Sequence, residues 1–124
     1  MPDQVLVYIG SALIFLWGAG HLMPTKSIVA GFGALSDDNR RIITMEWIAE
    51  GLALCFIGVL AFLTVLVGNP GNQVAIVVIR ALAVMLLVMA ALSAFTGART
   101  PILPMKLCPF VKTGVALLFF IGSV

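Results

Sequence analysis

The stretch RRIITMEWIAEGLALCFIGVL, Arg40 to Leu60, opens with two arginines and then runs apolar for the depth of a membrane, with two acids, Glu46 and Glu50, one helical turn apart inside it. A helix needs about 20 predominantly apolar residues to cross the hydrocarbon core, and the apolar run here continues from Ile42 to Val67. In lipid the backbone must satisfy its own hydrogen bonds, so such a run is a helix. Three more runs have the same character: Val5 to Met23, Val74 to Phe95 and Leu107 to Val124. The breaks between them, MPTKS, GNPGN and GARTPILP, are proline- and glycine-rich punctuation. The fold class this predicts is all-α, an antiparallel up-and-down four-helix bundle integral to the membrane, in one domain over residues 1–124 with spans 5–23, 42–67, 74–95 and 107–124.

Composition agrees. The 124 residues are 62% hydrophobic and 10% charged, with mean hydropathy +1.20, too little polar surface to cover a soluble core. A net charge of +2, with no basic run longer than Arg40-Arg41, excludes a nucleic-acid partner. Cys55 and Cys108 form no CxxC or zinc pattern, fall at different depths and read as unbridged packing residues. The leader MPDQ has an acid and no base, and GAG leads straight into His21. The first run therefore reads as a mature transmembrane helix rather than a cleaved signal.

Between the first two spans, Ser36 is a good N-cap, and Asp37 and Asp38 suit a first turn, so the second long helix is expected to start near Asp37. SIVAGFGAL is apolar and too short to span; it is expected to lie along the interface or re-enter between helices. The tight turn Gly68 to Gln73 predicts that its flanking helices are antiparallel neighbours. The first and third loops carry Lys26, Arg40, Arg41, Arg99 and Lys106, whereas the N-terminus and second loop carry no Lys or Arg. The positive-inside rule places the first and third loops in the cytoplasm and both termini outside, in a multi-pass cell-membrane protein.

A charge near the bilayer centre is costly, so ionisable residues inside spans face protein interior or water. With hydrocarbon beginning at Ile42, the helical rise puts Glu46 roughly 6 Å and Glu50 roughly 12 Å deep, with Lys112 about 8 Å in from the same side. His21 belongs to that layer. Glu46, Glu50, Lys112 and His21 are therefore expected to converge in a charged cluster on the cytoplasmic side. Trp47 flanks it as an interfacial anchor or pocket wall. Arg80 lies towards the outer leaflet and can snorkel. Gly10, Ile14, Gly18 and His21 share one face of the first helix, and Ala83, Ala90 and Ala94 form a small stripe near Arg80. Against a functional role for each acid stand plainer readings: Glu50 forms a structural ion pair with Lys112, Glu46 simply reaches headgroup water, or desolvation leaves either one protonated and idle. His21 likewise reads as a helix-end residue bonding a carbonyl or as a ligand.

The layout resembles that of the DoxX-like small bacterial membrane proteins: four helices, a similar length, and a GxxHL-type end to the first helix, here Gly18 to Leu22. The resemblance covers most of the chain in architecture. It implies a small membrane protein of a group in which some members are membrane subunits of quinone-dependent sulfur oxidation. The CxxC of some redox relatives is missing here, and no catalytic residue carries over.

No GxSxG, P-loop, HExxH or dinucleotide fingerprint occurs, and Glu-x-x-His pairs are absent. Met23, Met45, Met105 and Cys108 would suit a soft metal, but methionine is also a routine packing residue; no metal and no cofactor are expected. Nothing in the sequence demands turnover. The reading is a subunit or assembly partner in a membrane homo-oligomer or larger complex, in contact with the lipid bilayer and with lipid or a small hydrophobic molecule as a candidate ligand. The rivals are a proton-coupled carrier or channel for a small molecule or ion, using Glu50, and an intramembrane enzyme acting on a lipid-like substrate.

Overall fold

The computed structural model describes residues 2–124. Five α-helices are present: α1 (Pro2–Leu22), a short α2 (Thr25–Ala30), α3 (Asp37–Val67), α4 (Gln73–Phe95) and α5 (Leu103–Gly122), with a 3-10 turn at Gly97–Arg99 before α5. The four long helices are apolar and long enough to cross a membrane. They pack antiparallel, with α2 in the first connection, as expected.

The helix boundaries follow local chemistry. Ser36 Oγ accepts a hydrogen bond from the Asn39 N–H at 3.2 Å, so α3 starts at Asp37. Asn72 Oδ1 accepts from the Val74 and Ala75 N–H groups at 2.9 and 3.4 Å and opens α4 one residue before the apolar run. Gly71, at φ +80°, makes the turn before it. α5 starts four residues earlier than the run from Leu107 predicts, because Pro104 stands in its first turn, where a missing N–H costs nothing. Its helix ends at Gly122, two residues short of the predicted end at 124, and α1 starts at Pro2, three residues before the predicted span 5–23. Thr44, Thr64, Ser93 and Thr96 each donate a hydroxyl hydrogen bond to the carbonyl four residues back, which satisfies these polar groups within their own helix.

The four long helices form a ring in the order α3–α1–α5–α4. α1 packs extensively on α3 and α5, and α5 on α4; α3 meets α4 much more slightly, although a tight turn joins them. Lipid tails are as apolar as leucine, so close packing, not exclusion from water, holds the helices together. Glycines permit it: a Cβ at Gly58 would stand 2.7 Å from the Ser11 carbonyl oxygen, and one at Gly18 would stand 2.9 Å from the Gly51 carbonyl oxygen. Gly10, Ile14, Gly18 and His21 are all buried, as their shared face predicts. On α4, Ala83 and Ala90 are buried, but Ala94 is exposed and Leu86 takes the place between them.

Ile14, Leu54, Leu86 and Phe119 lie at the centre of the core. The outer surface is no less apolar: Leu16, Phe56, Val77 and Leu92 are among its exposed side chains. An apolar exterior around an apolar interior is stable only in lipid. The chain is a small polytopic membrane protein.

Candidate functional site

Near the end of the bundle that carries the basic loops, each long helix contributes one polar side chain or more to a single knot. Lys112 of α5 is fully buried. Its ammonium donates to Glu50 Oε1 of α3 at 2.7 Å and to Ser93 Oγ of α4 at 2.8 Å. His21, buried at the end of α1, brings Nε2 within 3.8 Å of Glu50 Oε2, an ion-pair distance but too long for a hydrogen bond. Two acceptors thus serve two of the three ammonium donors, and a carboxylate balances the charge, the condition for keeping a lysine inside a membrane bundle.

A second set of bonds ties α1 to α3 beside it. His21 and Trp47 stack with ring centroids 3.9 Å apart. Trp47 Nε1–H donates to the His21 carbonyl at 2.8 Å, and His21 Nε2 lies 3.1 Å from the Trp47 carbonyl. A carbonyl can only accept, so Nε2 carries a proton in this arrangement. The His21 carbonyl belongs to the last turn of α1, where backbone acceptors lack helical partners, and the indole supplies one. Trp47 is therefore a clasp as well as a wall.

Of the residues expected to converge, Glu50, Lys112 and His21 do so. Glu46 does not: it is exposed, outside the buried cluster predicted for it. A step of four residues advances about 40° beyond a full turn, because the helix has 3.6 residues per turn. The buried arc of α3 is formed by Gly51, Leu54, Ile57, Gly58 and Ala61; Glu50 falls just inside its edge near Ile57, and Glu46 falls one such step further round, outside it. Arg80 lies towards the opposite end, exposed, with Nε donating to Ser123 Oγ at 3.2 Å. Ser93 was not anticipated. Its signal in the sequence is a hydroxyl three residues after Ala90 on the small-residue face of α4, at the depth of Lys112 on the neighbouring helix.

Cys55 and Cys108 are free thiols, half-buried and buried. Among the described residues, no three His, Cys, Asp or Glu side chains are grouped as a metal site. A groove of about 990 Å³ runs between α1 and α5, with His21 and Trp47 in its wall; neither Glu46 nor Glu50 lines it. An acid-catalysed reaction on a molecule lying there would therefore have no carboxylate at hand.

No family model, curated protein or solved structure matches the chain.

Proposed function

We propose that the chain is a subunit or assembly partner in a membrane oligomer or larger complex, with its basic loops in the cytoplasm, its termini outside and the Glu50–Lys112 pair fixing the register of its helices. The observation that supports this reading is the contrast between a filled interior and an unsatisfied flank. The fully buried side chains of Ile14, Leu54, Leu86 and Phe119 pack against one another in the interior of a single copy. On the outside of α3, Glu46 is exposed and the Glu50 side chain is 36% exposed, beside the slight contact of α3 with α4. Acids at this depth need a base or water to receive them, and a neighbouring chain supplies either.

Native mass spectrometry from mild detergent, with cross-linking from Met45→Cys, an exposed neighbour of Glu46, in native membranes, tests the reading. An assembly larger than one chain, weakened by Glu46→Lys, is expected. A monomer in both settings, indifferent to Glu46, would refute it.

One observation favours the carrier as a second reading: Lys112 is sealed, but its carboxylate partner is reachable from outside the bundle. Proton flux into proteoliposomes that is lost in Glu50→Gln, with the fold retained, would replace the subunit reading with that one.

A further inference from the structure

The α1–α5 groove lies across the ring from the α3–α4 contact and makes an assignment independent of the assembly reading. Its wall on α5 runs from Leu103 to Leu118. At 1.5 Å per residue that is about 22 Å, the depth of one leaflet with its headgroup layer, about 20–22 Å. Its volume is about 990 Å³ and its lining, apart from His21, is apolar throughout, which suits extended acyl chains lying along it.

The glycines separate the groove from the rest of the packing. In the long helices, a Cβ at Gly10, Gly18, Gly51, Gly58 or Gly122 would collide with a neighbouring helix. A Cβ at Gly20 or Gly114 would meet nothing within 4 Å. Both of these glycines line the groove. Neither has a positive φ that would require glycine. Gly114 is mid-helix, where glycine is less favourable than alanine by about 1 kcal/mol, and Gly20 stands in the last turn of α1; no close contact among the described residues requires glycine at either position. What the two glycines do is keep the groove wide.

Charge selects the occupant. The groove reaches the basic end of the bundle, where Lys26 lies between the lining residues Pro24 and Ile28, and Lys106 between Met105 and Leu107. Exposed charged groups at this end are Lys26, Arg40, Arg41, Arg99 and Lys106 against Asp37, Asp38 and Glu46, still a net positive rim. Lysine stems bend along apolar surface to bring the ammonium to a headgroup.

We propose that the α1–α5 groove holds one anionic phospholipid, its acyl chains along Gly20 and Gly114 and its phosphate at the rim marked by Lys26 and Lys106. The occupant is bound stoichiometrically, beside the His21–Trp47 clasp, and is distinct from lipid that merely surrounds the bundle.

The two tryptophans of the chain, Trp17 and Trp47, both line the groove and report on it directly. Chain-brominated phosphatidylglycerol and, separately, chain-brominated phosphatidylcholine are titrated into the full-length protein in mild detergent, with tryptophan quenching and native mass spectrometry as readouts. Saturable quenching at one lipid per chain is expected, with phosphatidylglycerol tighter by roughly tenfold or more. Gly20→Leu and Gly114→Leu, which fill the groove without touching the helix contacts, remove the saturable phase while helix content and melting temperature hold or rise. Circular dichroism on the same samples separates loss of binding from loss of fold. Absence of a saturable phase, equal affinity for the two lipids, or unchanged binding in Gly114→Leu would overturn the assignment. So would a wild-type dimer that Gly114→Leu converts to monomer, which would give the groove to a second copy of the chain.

Discussion

Replacing Glu50 by leucine strands the most deeply buried charge in the molecule. Lys112 is fully buried and has two hydrogen-bond acceptors, Glu50 Oε1 and Ser93 Oγ; the substitution removes the charged one. Breaking a buried pair from one side costs about 3–5 kcal/mol, because the remaining charge is uncompensated. The reverse substitution, Lys112→Met, is milder. It leaves a carboxylate whose side chain is 36% exposed and whose Oε2 lies 3.8 Å from His21 Nε2, so roughly 1–3 kcal/mol is expected. The double variant Glu50→Leu/Lys112→Met replaces the pair with apolar groups of similar volume and should fall within about 1 kcal/mol of wild type, or above it. The coupling energy in this cycle is then about 3 kcal/mol or more, against a limit of about 0.5 kcal/mol for independent sites. Reversible unfolding in mixed micelles, followed by far-ultraviolet circular dichroism, measures all four corners. A double variant as unstable as Glu50→Leu would refute the argument, since it would mean that the cost comes from packing and not from the unpaired ammonium.

The same unfolding assay checks three smaller effects. Gly58→Ala puts a methyl 2.7 Å from the Ser11 carbonyl oxygen and 3.1 Å from the Phe15 nitrogen, and should cost about 1–3 kcal/mol as backbone is pushed apart; no loss would mean that α1 and α3 part freely. Ser11→Ala removes a buried hydroxyl that has no hydrogen-bond partner and should stabilise the fold by up to about 1 kcal/mol. Destabilisation there would show that the hydroxyl is bonded after all. Trp47→Phe keeps a ring against His21 but loses the 2.8 Å indole bond to its carbonyl, for an expected loss of about 1 kcal/mol; an unchanged midpoint would assign the clasp to stacking alone.

Helix number and the meeting of Glu50 with Lys112 were legible because both follow from one-dimensional quantities: run length, and depth counted at a fixed rise per residue. Rotation about the helix axis is a finer quantity, and Glu46 shows where it escapes. Depth places Glu46 with Glu50, and only the position of the buried arc on α3 separates them. That arc is set by Gly51 and Gly58 meeting α1, a contact between helices. Ser93 escaped for a related reason. A serine in an apolar helix bonds its own backbone wherever it faces, and only the arrival of Lys112 from α5 gives this one a second role. The end of α1 was legible in kind, since a histidine bonding a carbonyl was one of its two readings; its reciprocal partner, Trp47, depends on the α1–α3 crossing.

Two open features of the bundle, the slight α3–α4 contact and the α1–α5 groove, have one origin in the distribution of glycine. α1 sits at the centre of the contact pattern because its glycines serve two neighbours: Gly18 admits α3, and Gly10 admits the Phe119 ring of α5. α4 contains no glycine and packs through Ile79, Ala83, Leu86 and Ala90. Beyond its joining turn and the Lys112 ammonium that bonds both Glu50 and Ser93, α4 meets α3 only slightly, and Glu46 is left at an open flank with Glu50 partly exposed beside it. On the other side, α1 and α5 are drawn together at Gly10 and Gly122, towards the end away from the basic loops. Gly20 and Gly114, nearer those loops, admit no neighbouring helix at all. Two helices held close at one end and bordered by unfilled glycines at the other must diverge, and the wedge between them opens at the positively charged rim. The residue type that closes the bundle in one half thus widens the groove in the other.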